Sequence, residues 1–200
     1  MLVLLAVGGT AAQAQGSSGK APKALPAPAL MLAPIVGQPI PILPIAYVVA
    51  DTGIPMPATR LAQLAWADSI IDDALEARGP EANWLVPADL RKVARRAPGM
   101  VTDPDHMSQA VMRFTSLKKV PDPLLANMRA LVAMTNSRFV MIPAALRMSG
   151  RPGAVHIELM LVLADARSGA IAWRSSPVAE AATPAAAIAA AVAAILPDMH

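Results

Sequence analysis

The chain has 200 residues, 55% hydrophobic, 16% charged and only 3% aromatic, with a net charge of +3. This composition suits one domain of ordinary size with a core of Leu, Val, Ile, Met and Ala, and the charge permits contact with an anionic surface without pointing to one. There is no cysteine, which excludes disulfides, thiolate metal sites, a cysteine nucleophile and an acylated lipoprotein cysteine.

Residues 1–14 read as a signal peptide. An apolar run (MLVLLAV) is broken by Gly8 and Gly9, and Ala12-Gln13-Ala14 has the small-x-small pattern of a cleavage site, although the usual basic start is missing. The run is too short to cross about 30 Å of hydrocarbon. Residues 15–41 read as a Pro/Ala-rich linker. Nine of the 20 prolines fall between Pro22 and Pro57, and proline both fixes φ and removes a ladder donor.

A single globular domain is expected over 42–197. Residues 42–50 (ILPIAYVVA) form an apolar, β-branched first strand entered through Pro44, and Asp51-Thr52-Gly53 ends it. A helix over 59–78 carries Leu61, Leu64, Ala67, Ile71 and Leu75 on one face, with Asp68, Asp72 and Glu76 off it or at its edge. Gly79-Pro80 stops this helix. A short strand at 84–86 and a helix over 88–97 follow, the latter closed by Pro98-Gly99. The connection 100–123 is polar, with a helix at 107–114, and a further helix spans 124–135.

Residues 139–148 form a strand whose Pro143 predicts an edge position or a bulge. The hairpin 155–165/170–176 is the strongest fold signal in the chain. Val155, Ile157, Leu159, Leu161 and Leu163 occupy every second position, and Gly169 sits where a tight turn needs positive φ. The last helix, 184–196, has Thr183 as N-cap, Pro184 in its first turn and Ile188, Val192 and Ile195 as its buried stripe. The predicted class is α+β. A central, mainly antiparallel sheet includes the first strand and ends in a three-strand meander, with helices packed largely on one face.

The hairpin contains Asp165, Ser168, Gly169 and Trp173 in a D-x-x-S-G-x-x-x-W pattern. With the order of elements over 42–196, this resembles a superfamily of periplasmic envelope proteins. That group includes the amino-terminal domain of the Tol-system translocation protein and the curli-secretion lipoprotein. The resemblance implies an α+β fold and a non-catalytic envelope role, and it transfers no site. The acylated cysteine and membrane-spanning hairpins of the curli pore have no counterpart in this sequence, so it does not imply a pore.

Several groups invite chemistry, and each has a structural alternative. Asp103-Pro104-Asp105-His106 gathers two carboxylates and an imidazole that could hold a divalent cation, but Asp-Pro is also an ordinary turn starter. His156 and Glu158 share one strand face and could act as an acid/base pair, or simply as a solvated face. Asp51-Thr52-Gly53 matches the aspartic-protease triplet, but that chemistry needs a second carboxylate lobe and an all-β chain. No G-x-S-x-G and no glycine-rich phosphate loop is present.

Arg91, Lys92, Arg95 and Arg96 pair at i,i+4 spacing into one basic helix face, which Lys118 and Lys119 extend. Such a face suits an anionic envelope surface or an acidic envelope protein, or is simply solvated. Nucleic acid is not expected, since no aromatic platform accompanies the charge. The reading is therefore a secreted or periplasmic, non-enzymatic assembly or interaction module with no cofactor and no transmembrane span in the mature chain. A secreted hydrolase or small-ligand-binding protein is the alternative. Polar residues converging from different elements in one deep pocket would favour that alternative.

Overall fold

A computed structural model describes residues 23–24, 27–31, 35–78 and 82–196. The expected signal peptide and the helix stop at Gly79-Pro80 lie outside the described residues. Among the described residues there are eight strands: β1 (Lys23–Ala24), β2 (Pro39–Pro41), β3 (Val48–Ala50), β4 (Asn83–Leu85), β5 (Phe139–Arg151), β6 (Ala154–Asp165), β7 (Ile171–Ser175) and β8 (Val178–Ala181). The described residues also form four α-helices, α1 (Arg60–Arg78), α2 (Pro87–Arg96), α3 (Leu124–Thr135) and α4 (Pro184–Ile195). The class is α+β, as predicted.

The main sheet runs β1-β8-β6-β5-β3, and β7 pairs with the other half of the β6 edge that β8 covers. Every pairing in it is antiparallel except β3 with β5. The meander β5–β6–β7 is the expected one. A fourth strand, β8, follows it because Pro177 interrupts the covering strand, and the Leu159 N–H donates to the Pro177 carbonyl at the break. Sequence gives little hint of β8, since Val-Ala-Glu-Ala is half alanine, a weak strand former.

The helices do not lie largely on one face; they cover both. On β6 the odd residues Val155 to Leu163 join α1 and α4 in one core, through Ala67, Ile71 and Leu75 and through Ile188, Val192 and Ile195. The even residues Met160, Val162 and Ala164 join α2 and α3 in a second core, through Leu90, Met128 and Leu131. In a sheet buried on both sides alternation is no longer hydrophobic against polar, which is why the strand reads as nearly continuous apolar sequence. Pro143 marks a bulge, as predicted. Pro143 faces Leu161 and Ala145 faces Met160, so Ala144 is the extra residue. The bulge changes the parity of β5: Met141 belongs to the first core, and beyond it Leu146 and Met148 do. Of the two alternatives that Pro143 left open, the bulge is the one present, since β5 lies between β6 and β3 and not at an edge.

The first strand differs most from expectation. Only Val48–Ala50 forms a strand, parallel to β5 and at the end of the sheet rather than inside it. Upstream, Ile42 makes a single parallel bridge to Met141. Between the two pairings lie Pro44 on one chain and the Pro143 bulge on the other, which break the ladder. Packing also begins upstream of Ile42. Leu30, Ile35 and Ile40 are buried, β2 pairs with β4, and the Leu30 N–H donates to Ile195 O at 2.8 Å. On α1, Leu61 is 79% exposed and leaves the predicted stripe, while Ala74 and Asp68 are buried. The expected helix at 107–114 is replaced by two 3-10 turns, Pro104–His106 and Gln109–Arg113.

The hairpin motif is accounted for by its own turn. Asp165 Oδ1 accepts the Arg167 and Ser168 N–H groups at 2.8 and 3.3 Å, and Oδ2 accepts from Arg138. Ser168 Oγ accepts the Ala170 N–H, and Gly169 has φ +73°. Trp173 packs on the first core and donates to the Ala29 carbonyl at 3.1 Å, so it also holds the incoming chain.

Two-sided burial predicts that Leu161→Ala on one face and Ile142→Ala on the other each destabilise the protein by about 2–5 kcal/mol. Urea unfolding monitored by circular dichroism measures both. A negligible loss for Ile142→Ala would contradict the second core.

Candidate functional site

The ladder break around Pro44 places Ile45 with its N–H turned toward α1, where Asp68 Oδ1 accepts it at 2.6 Å. Asp68 is therefore buried, beside the buried apolar residues Ala67 and Ile71 of α1. Across from it, Arg91 of α2 forms a two-pronged ion pair with Asp105, Nε to Oδ2 and Nη2 to Oδ1, both at 2.8 Å. The same Nη2 stands 3.7 Å from Asp68 Oδ2. Gln109, also buried, donates from Nε2 to the Pro44 and Pro104 carbonyls at 2.9 and 3.1 Å.

These groups form the floor of a cleft of about 650 Å³, walled by Ile45, Ala46, Leu64 and Ala65, with exposed Leu61 at its lip and His106 on its lining. A shallower trough of about 330 Å³ shares Asp68 and Arg91 with the cleft and is lined by Asp72, Asp73 and Glu76.

Burial pushes the Asp68 carboxyl up to about 7 against the opposing pull of the Ile45 N–H and Arg91, with Asp105 adding to the rise. Burial also pushes Asp72 up to about 7, helped by the negative charges of Asp68, Glu76 and Asp73. Asp72 Oδ1 is out of reach of water and has no hydrogen-bond partner among the described residues. Asp105 is held below the ordinary carboxylate range, first by its hydrogen bonds from Arg91.

The basic residues of α2 do not act as one face. Arg91 turns inward to Asp105, and Lys92 pairs with Asp89 of its own helix at 2.7 Å. Arg95 and Arg96 are exposed and make no ion pair among the described residues, and Lys118 and Lys119 are also exposed. In Asp103-Pro104-Asp105-His106, Asp103 caps the first 3-10 turn by accepting the Asp105 N–H at 3.0 Å, while the Asp105 carboxylate is taken by Arg91. Among the described residues no group of three or more His, Asp or Glu is placed to hold a metal.

Glu158 pairs with Arg147 across β5 and β6 at 3.2 Å, and His156 is exposed opposite Ser149. Asp51 Oδ2 accepts the Gly150 N–H at 3.1 Å, and its carbonyl accepts from Ile54 as the chain leaves β3. No hydrogen bond joins Asp51, His156 and Glu158 among the described residues.

The residues that do converge, Asp68 and Gln109 above all, were not singled out from sequence. Asp68 carried a signal: it lies four residues after Leu64 and three before Ile71, the spacing of neighbours on a helix surface, so it borders the apolar stripe.

No family model and no curated protein matches this sequence. Among solved structures, the fold is similar to the LpoB C-terminal domain from Escherichia coli at 10% identity and a TM-score of 0.38, over 72% of this chain and 83% of that one. It is also similar to the PelC dodecamer from Paraburkholderia phytofirmans at 16% identity and a TM-score of 0.40, over 90% of this chain and 98% of that one. At these scores the likeness assigns no partner, activity or location.

The raised carboxyls predict the sign of the pH response. Between about pH 4 and 7 the unfolded chain releases protons that folded Asp68 and Asp72 retain, so their contribution to stability falls as pH rises through this window and is flat above it. Asp72→Asn is expected to raise stability at pH 8 by about 1–2 kcal/mol, discounted for partial solvent screening, and to change it little at pH 4. Urea midpoints at the two pH values measure this; equal shifts at both would show that Asp72 does not titrate in this range.

Proposed function

We propose that this protein is a non-catalytic module of the cell envelope that binds another envelope protein or an anionic envelope surface. The apolar leader with its small-residue site and the D-x-x-S-G-x-x-x-W hairpin support the location. The observation that carries the binding mode is the end of α2: Arg95 and Arg96 stand exposed without an acidic partner among the described residues, while Arg91 and Lys92 are neutralised within the fold. An unpaired guanidinium pair is free to meet phosphate or carboxylate without first breaking an internal ion pair. Non-catalytic action fits the cleft, where Asp105, Arg91, Asp68 and Gln109 already bond to one another or to backbone.

A second reading, a small-ligand-binding protein, is favoured by one observation. Asp68, Arg91, Asp105, His106 and Gln109 come from three separate parts of the chain and meet in one cleft with an apolar wall.

Co-sedimentation of the full chain with peptidoglycan sacculi and with phosphatidylglycerol vesicles tests the first reading. Each basic side chain near such a surface is worth about 1 kcal/mol, so Arg95→Glu with Arg96→Glu is expected to weaken binding at least tenfold and to flatten its salt dependence. Binding that is absent in the parent chain, or unchanged in the double variant, rejects the Arg95/Arg96 surface.

A further inference from the structure

β3 is the last strand of its sheet, and among the described residues nothing pairs with its outer side. Its inner side is fixed by two backbone hydrogen bonds to β5: the Tyr47 carbonyl accepts from the Leu146 N–H and the Asp51 N–H donates to the Met148 carbonyl. Backbone groups of a strand point to alternate sides, so Ala46 and Val48 turn their carbonyls away from β5. Those two carbonyls are the ones that Arg60 occupies. Nη1 donates to Val48 O, and Nη2 donates to Ala46 O at 3.1 Å.

The placement of Arg60 is otherwise unfavourable. It is the first residue of α1, where the helix dipole repels a cation, and that turn contains no acidic residue. Thr59 supplies the cap, accepting the Ala62 N–H at 3.2 Å, so Arg60 is not needed to start the helix. Arg60 makes no ion pair among the described residues. What holds it is the pair of edge carbonyls. The edge it covers is one that invites pairing: Val48-Val49-Ala50 is β-prone, and Val49 is 47% exposed.

We infer that Arg60 is a cover that closes the β3 edge of the sheet against strand addition by a second copy of this chain. Two copies of this edge, related by a two-fold axis, present each other with the same row of donors and acceptors, so an uncovered edge is self-complementary. The guanidinium takes the outward acceptors that such a pairing requires.

The test compares the full-length parent with Arg60→Met, which keeps the stem and loses every donor, and Arg60→Lys, which keeps one donor group. Sedimentation velocity over a concentration series reads association, and hydrogen exchange reads the amides of residues 46–50. Arg60→Met is expected to self-associate at least tenfold more tightly than the parent, with the 46–50 amides gaining protection in the associated form, and Arg60→Lys to fall between the two. Association no tighter than the parent overturns the inference, as does tighter association that leaves 46–50 unprotected. Loss of the far-ultraviolet circular dichroism signal in both variants also overturns it, because the guanidinium would then be a support of the fold and not a cover.

Discussion

Pro44, in the segment that leads from the Ile42 bridge into β3, and Pro143, on β5, lie between two pairings of the same chain segments, and neither can donate to a ladder between them. The parallel pairing of Ile42 with Met141 therefore cannot run on into the pairing of Val48 with Leu146. On one strand the interruption is absorbed by the extra residue Ala144, which moves Leu146 and Met148 onto the α1–α4 side of the sheet. On the segment before β3 it frees the Ile45 N–H, which a buried polar group must satisfy, and Asp68 does so. The cleft follows from that one demand. A buried aspartate on α1 holds the segment before β3, and α2 and the 3-10 turn bring Arg91, Asp105 and Gln109 up to it.

This arrangement carries a stored electrostatic cost. Burial works against the charge on Asp68 more strongly than Arg91 favours it, because Arg91 gives its short bonds to Asp105 and approaches Asp68 only at 3.7 Å. Asp72, one turn on, has one oxygen without a hydrogen-bond partner among the described residues. Carboxyls near neutrality beside a fixed ion pair make the region responsive to its surroundings, whether these are a change of pH or the approach of a cationic group. The turn acid Asp165 behaves oppositely. Burial pushes it up, but Arg138 and the Arg167 and Ser168 N–H groups outweigh that and leave it below its ordinary value. One carboxylate is fully coordinated and the other two are not, and this difference separates a structural acid from a candidate site.

Much of the architecture could be read locally. The helices at 60–78, 87–96, 124–135 and 184–195, the β5 bulge and the β6–β7 hairpin were legible because caps, prolines, Gly169 and hydrophobic periods are short-range signals. The second helical layer was not, because a strand buried on both faces looks the same whichever helices cover it. The N-terminal stretch was misleading for a related reason. Its prolines weaken regular pairing, yet Leu30, Ile35 and Ile40 still bury their side chains, and proline density reports on backbone donors rather than on side-chain packing.

The sequence by itself determined the class, the turn chemistry of Asp165, Ser168 and Gly169, and the existence of a basic α2. Each of these depends on residues within a few positions of one another. Only the tertiary structure decided which charges remain free. Arg91 meets Asp105 across 14 positions and Asp68 meets Ile45 across 23, whereas Arg95 and Arg96 meet no acid among the described residues. A helical period can say which side chains share a face, but the pairing of a charge depends on which distant backbone the fold sets against it.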